Sequence, residues 1–152
     1  CSKTAVDGCL PFDPVLFERG LTFSYDVEPG LFVLGDAAQL SRCVDILLDN
    51  AQKYTEPGGD VHLALSRCGK ARCRLCVSST GEPLSPADCR KIFERFARLD
   101  GARHRDGSYG LGLSIAESIV SRHGGKIRAE GADHENRFFI DFPLCKESLH
   151  TA

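Results

Sequence analysis

Asn50 and Lys53 stand three residues apart in a stretch that also carries Leu40, Val44, Leu47, Leu48 and Ala51. At about 100° per residue, those apolar positions form one stripe of a helix. Ile46, Asn50 and Lys53 then stack along the flank of the stripe. An amide oxygen that can ligate a hard cation lies one turn from an ammonium that can meet phosphate, a workable pair for a magnesium nucleotide. The same spacing also suits a solvated polar flank. The run Gly107-Ser108-Tyr109-Gly110-Leu111-Gly112-Leu113 tips the balance. Its glycines let backbone approach a ligand closely, and they leave free amides at the start of the helix that follows, where the dipole favours anions. The run follows a loop rather than a strand, so it is neither a dinucleotide fingerprint nor a Walker loop.

The elements that must position these residues alternate in type. Leu10 to Arg19 is a short helical candidate, and Leu21 to Val27 alternates like a half-buried strand. Glu28-Pro29-Gly30 turns the chain, Phe32-Val33-Leu34 is a brief strand, and Asp36 caps a long helix running to about Tyr54. Val61 to Ser66 and Arg72 to Ser78 read as a hairpin across Cys68-Gly69-Lys70. Ser85-Pro86-Ala87-Asp88 opens a second helix, where a cap, a first-position proline and a third-position carboxylate agree. Arg98 to Tyr109 has no periodicity and reads as a loop. Gly110 to Arg122 is a third helix, and Lys126 to Glu130 and Arg137 to Phe142 close as strands. The sum is α+β: a two-layer α/β sandwich, a mixed sheet of about five strands with three helices on one face.

Composition sets the bounds. With 152 residues, 42% hydrophobic and 26% charged, the chain suits one ordinary globular domain. A formal charge of -2 gives no global attraction for nucleic acid or an anionic membrane, so any polyanion is met locally. No apolar run approaches the roughly 20 residues that span a bilayer, which implies no direct membrane contact. The lack of any Met points to a piece of a longer protein. Eight cysteines are the one oddity, at 1, 9, 43, 68, 73, 76, 89 and 145. Cys73 and Cys76 fall on a strand with side chains to opposite faces and no second pair follows at zinc-site spacing, so scattered reduced thiols are the expectation.

Four segments in order carry a family resemblance. Leu47-Leu48-Asp49-Asn50-Ala51-Gln52-Lys53-Tyr54-Thr55 resembles the N box of bacterial sensor histidine kinases. Ser79-Thr80-Gly81-Glu82-Pro83-Leu84 looks like a worn first glycine box, Ile92-Phe93-Glu94-Arg95-Phe96 is similar to the F box, and Gly107 to Leu113 resembles the last glycine box. The resemblance implies the Bergerat-type ATP-binding sandwich shared with DNA gyrase, heat-shock chaperones and mismatch-repair ATPases. It makes Asn50 the magnesium ligand, Lys53 a phosphate contact and Tyr54 a wall near ribose and base. Ser79, Gly81 and Leu84 fall in the adenine box. Arg98 to Tyr109 becomes the ATP lid, anchored by Phe93 and Phe96. Gly107, Tyr109, Gly110, Leu111 and Gly112 support the lid and offer amides to phosphate. Arg95 is either a solvated helix residue or a charge near the transferring phosphoryl group.

The implied reaction moves the γ-phosphoryl group of ATP to a histidine on a separate dimerisation domain of the same kinase, then to a response regulator. None of His62, His104, His123, His134 and His150 has the acceptor context, so this piece is not expected to phosphorylate itself. The resemblance further implies a lead-in over 1–20, a catalytic domain over 21–143 and a tail over 144–152. It places the domain in the cytoplasm within a membrane-anchored homodimer. Three departures leave alternatives open. Ser79 stands where the family has Asp, Ile46 where it has Asn or Glu, and Pro83 where it has glycine. Losing a charge-assisted contact to adenine costs on the order of 1 kcal/mol or more. A degenerate module binding little nucleotide, or another ATPase or serine kinase of the superfamily, are the other readings.

Overall fold

Inward apolar residues at every second position of the strands and at helical spacing in the helices build one core from two layers. The computed structural model describes residues 2–6, 21–94 and 112–145, with the side chains of 2–4, 53 and 54 outside that set. The strands are β1 (Ser2–Ala5), β2 (Thr22–Val27), β3 (Phe32–Gly35), β4 (Asp60–Cys68), β5 (Arg72–Thr80), β6 (Lys126–Ala132) and β7 (Glu135–Pro143). The helices are α1 (Ala37–Tyr54), α2 (Pro86–Lys91) and α3 (Gly112–Arg122). Five strands form a mixed sheet in the order β2-β4-β5-β7-β6, and β1 and β3 form a separate antiparallel pair. Among the described strands only β2 and β4 pair in parallel, which needs the crossover supplied by β3 and α1. The expected sandwich of about five strands and three helices is the one found.

Local chemistry accounts for the helix ends. Asp36 Oδ1 accepts the N–H groups of Ala38 and Gln39 at 2.8 and 3.2 Å, the cap read from sequence. Ser85 Oγ accepts the Asp88 N–H at 3.1 Å, with Pro86 at the first helical position. At the far end of α1, the Thr55 N–H and hydroxyl both donate to Ala51 O. Leu40, Cys43, Val44, Leu47, Leu48 and Ala51 bury the inward face of α1, and Leu113, Ala116, Ile119 and Val120 that of α3. They meet Val61, Leu63 and Leu65 of β4, Leu75 and Val77 of β5, and Phe138, Ile140 and Phe142 of β7.

Three features go beyond the sequence reading. β1 pairs with β3, and Val6 after it is buried and donates to Leu31 O at 2.9 Å. β6 and β7 extend past their expected limits to a two-residue turn at Asp133 and His134. Leu144 and Cys145 hydrogen-bond to Ala71 O and Phe32 O, so the chain stays attached beyond β7. The expected helix over Leu10 to Arg19 and the Arg98 to Tyr109 loop lie outside the described residues.

Candidate functional site

α1 and α3 pack antiparallel, and their contacts give the register. The Asp36 N–H reaches His123 Nε2 at 3.2 Å, the Cys43 thiol lies 3.9 Å from Ala116 O, and Ile46 Cγ2 sits 3.5 Å from where a β-carbon on Gly112 would lie. Asn50 is one turn beyond Ile46, about 6 Å along the axis at 1.5 Å per residue. The helix pair therefore brings Asn50 to the start of α3. Asn50 is half-buried, and its carboxamide has no hydrogen-bond partner among the described residues. Ile46 turns its methyl group to Gly112, so the position where the family has a polar residue serves helix packing here.

A second wall comes from the end of β5. Alternation sends Cys73, Leu75, Val77 and Ser79 inward. Ser79 is only 7% exposed, and its hydroxyl has no partner among the described residues. Buried polar groups normally carry one, so a ligand hydrogen bond fits this orphan. The α1 terminus lies beside this strand end: a β-carbon on Gly59 would stand 2.8 Å from Thr55 Cγ2 and 3.2 Å from Thr80 Cβ. The Glu56 N–H also donates to Thr80 O at 3.3 Å. Asn50, on the last turns of α1, and Ser79, at the end of β5, thus belong to one corner of the sandwich.

The segment after Ser79 is held by groups that sequence reasoning missed. The Gly81 N–H donates to His134 O at 3.0 Å, and the Leu84 N–H donates to Asn136 Oδ1 at 2.8 Å. His134 Nε2 lies 3.1 and 3.2 Å from the two carboxylate oxygens of Glu56, bracing the β6–β7 turn against the α1–β4 loop. Asn136 had a readable signal: in the alternation that sends Phe138, Ile140 and Phe142 inward, it is the polar member. His134 and Glu56, far apart in sequence, had none.

The remaining expected site residues divide cleanly. Phe93 is buried, its ring 6.2 Å from that of Phe138, so it packs in the core. Gly112 opens α3. Lys53 and Tyr54 lie on the last turn of α1, with their side chains outside the described set. Arg95, Phe96, Gly107, Tyr109, Gly110 and Leu111 lie outside the described residues.

The described residues hold no cluster of three or more His, Cys, Asp or Glu able to bind a metal. A hard cation at Asn50 would take most of its ligands from a nucleotide and water. All six described cysteines are free, and Cys73 and Cys76 face opposite sides of the sheet as expected. Burial pushes the Cys43 thiol up to about 12 and Cys73 up to about 11, so both stay protonated near neutral pH. An open groove of about 700 Å³ between α2 and β6, lined by Leu84, Cys89, Phe93 and Ile127 among others, includes neither Asn50 nor Ser79.

The family described as histidine kinase-, DNA gyrase B-, and HSP90-like ATPase matches residues 35–146. The signal transduction histidine-protein kinase/phosphatase MprB of Mycobacterium ulcerans is 45% identical over 108 residues, covering 71% of this chain but only 21% of that protein. The structure of a mycobacterial sensor histidine kinase MprB superposes with a TM-score of 0.84 at 31% identity, covering 94% of this chain and 98% of that one. Full-length ShkA in complex with AMPPNP gives a TM-score of 0.74 at 29% identity, covering 87% of this chain and 27% of that one. The chain belongs to the histidine kinase-, DNA gyrase B-, and HSP90-like ATPase family, and within it to the catalytic domains of sensor histidine kinases.

Proposed function

We propose that this domain binds ATP with magnesium and, within the longer protein, directs the γ-phosphoryl group to a histidine on a separate dimerisation domain. The observation that carries the reading is the corner just described: the carboxamide of Asn50, one turn from the Ile46–Gly112 contact at the start of α3, and the buried hydroxyl of Ser79 at the neighbouring strand end both lack a hydrogen-bond partner among the described residues. Asn50 Oδ1 would hold the cation. Magnesium, when bound, neutralises charge on the phosphates. Lys53, Gly110, Leu111 and Gly112 would meet the phosphates with an ammonium and backbone amides. Tyr54, Ser79, Gly81 and Leu84 would line the base end. Phe93 and Phe96 would anchor the Arg98 to Tyr109 lid, with Gly107 and Tyr109 closing its far end. Arg95 would place a cation near the transferring group.

In the transfer, a bond from phosphorus to an imidazole nitrogen of the acceptor forms as the bond from phosphorus to the β,γ-bridging oxygen breaks, leaving ADP, and the imidazole releases its proton. Positioning and charge stabilisation supply most of the rate. Of the described histidines, His62 bonds Ser24 Oγ, His123 bonds Ile119 O and the Asp36 N–H, and His134 pairs with Glu56. These roles fit an acceptor outside the chain. The other proposed partners are a response regulator and a second copy of the full-length protein, with the catalytic unit running over 21–143 in the cytoplasm of a membrane-anchored kinase. Among the described residues, no helix is long and apolar enough to cross a membrane.

Ile46 and Ser79 favour one competing reading, a degenerate module that binds partners and little nucleotide. Calorimetry with AMPPNP and magnesium separates the two. Micromolar to submillimolar binding that vanishes in Asn50→Ala supports the kinase domain. No heat at millimolar ligand favours the degenerate module.

A further inference from the structure

Asn136 is the polar member of the inward face of β7 and only 8% exposed. A buried carboxamide must place both of its ends, and this one does so on a single loop. Oδ1 accepts the Leu84 N–H at 2.8 Å, and Nδ2 donates to Glu82 O at 2.9 Å. Pro83, between those two contacts, has no N–H to offer, so side-chain bonds on either side supply the fastening that the loop cannot make through that residue.

The surroundings are shaped to the same end. Gly131 faces Asn136 across the β6–β7 ladder, and a β-carbon there would stand 2.4 Å from both Leu84 N and Leu84 O and 2.9 Å from Asn136 Oδ1. The bare glycine leaves the space in which the loop lies against the sheet. At the other end of the loop, the Gly81 N–H donates to the carbonyl of His134, which holds a left-handed φ of 58 beside Asp133 at 53. Non-glycine residues take that conformation at a cost that the surrounding contacts must offset. Asn136 also stands directly across the β5–β7 ladder from Ser79, on the same face. Paired side chains there lie about 5 Å apart. Because its amide is spent on the loop, Ser79 Oγ is left unpartnered among the described residues.

We infer that Asn136 is a positioning residue for the base end of the nucleotide site. By gripping Glu82 and Leu84 it fixes the course of the Gly81 to Leu84 loop beside Ser79, and with it the wall that discriminates among nucleobases. The inference rests on the ATP-binding reading above.

The test compares wild type, Asn136→Ala and Asn136→Asp for binding of AMPPNP and GMPPNP with magnesium, each by displacement of a fluorescent ATP analogue. Amide exchange at Leu84 and melting temperature are followed alongside. The alanine variant loses both bonds to the loop and is expected to weaken AMPPNP binding by about tenfold. It should weaken GMPPNP binding less, so that adenine preference falls, and the Leu84 amide should exchange faster. The aspartate variant matches the native side chain in size but turns a carboxylate oxygen toward Glu82 O, so it loses that bond and adds repulsion while keeping an acceptor for the Leu84 N–H. It should show the same fall in adenine preference, and the change is read from whichever of the two variants folds. A purely structural role would weaken both nucleotides alike. Equal weakening, or an unchanged preference in both variants, overturns the inference while leaving the functional reading intact. Wild type that binds no AMPPNP overturns the functional reading and the inference with it.

Discussion

His123 Nε2 accepts the backbone N–H of Asp36 at 3.2 Å, while His123 Nδ1 lies 2.7 Å from Ile119 O, so one imidazole fastens the end of α3 to the start of α1. This bond sets the helix register that brings Asn50 to the mouth of α3. Gly35 makes room for the ring, since a β-carbon there would lie 2.2 Å from His123 Cδ2. The ring also meets Phe142 edge-on at 6.4 Å, which limits its escape. Gly35→Ala is expected to destabilise by about 1–3 kcal/mol through overpacking, and His123→Ala by about 1–2 kcal/mol through the orphaned Asp36 amide and the lost packing. With His123 removed, the clash disappears, so the double variant should cost less than the sum of the two. Urea unfolding of all three variants checks this, and strict additivity would show that Gly35 is not there for the ring.

Asn50 gives a prediction in which ligand and fold respond differently. Its carboxamide has no partner among the described residues, so Asn50→Ala should change the melting temperature little in the absence of nucleotide. AMPPNP binding with magnesium should fall by at least about tenfold, in line with a lost metal contact. Chelating magnesium from wild type should reproduce the loss, and chelation should add little in the variant. If chelation weakens the variant as much as wild type, Asn50 does not hold the cation.

The frame of the molecule was legible because its signals are local. The Asp36 and Ser85 caps, the inward stripe of α1 and the alternation of β5 each depend on neighbours a few residues away, and each appeared where expected. The pairing of β1 with β3 was not legible, since four residues, Ser2 to Ala5, carry no periodicity strong enough to mark a strand. The clamp on the loop after Ser79 was hidden for another reason. It joins Glu56, Gly81 and Leu84 to His134, Gly131 and Asn136, and only the folded β5–β7 ladder brings these together. Ile46 shows the same limit: the sequence marks it as a departure, and only the contact with Gly112 shows what it does instead.

Ser79→Asp should separate stability from affinity. At 7% exposure, a carboxylate would be buried beside Asn136, whose amide is already committed, so the nucleotide-free protein should lose about 1–3 kcal/mol. The same carboxylate could accept from an adenine amino group, and AMPPNP should bind more tightly, by up to about tenfold. Thermal melting with and without AMPPNP reads both effects in one experiment: a lower starting point and a larger ligand-induced rise. An unchanged ligand response would show that Ser79 does not face the base.

Cys43 provides a probe of the helix pair. Its thiol is directed at Ala116 O across the α1–α3 contact, and burial holds its pKa at about 12, against 9.0 for a free thiol. Between those values the unfolded chain releases this proton and the folded chain keeps it. The contribution to stability is therefore complete below pH 9 and is lost as pH rises toward 12. At pH 8, an alkylating reagent should modify Cys43 only when α1 and α3 part, and far more slowly than the partly exposed Cys68. A nucleotide that bridges Asn50 and the start of α3 binds only the closed pair, so it should slow labelling of Cys43 by the factor 1 + [L]/Kd. Site-resolved mass spectrometry during alkylation, with and without AMPPNP and magnesium, measures this directly. Equal labelling rates at saturating nucleotide would mean that the helices part without disturbing the ligand, and the bridge from Asn50 to α3 would then be excluded.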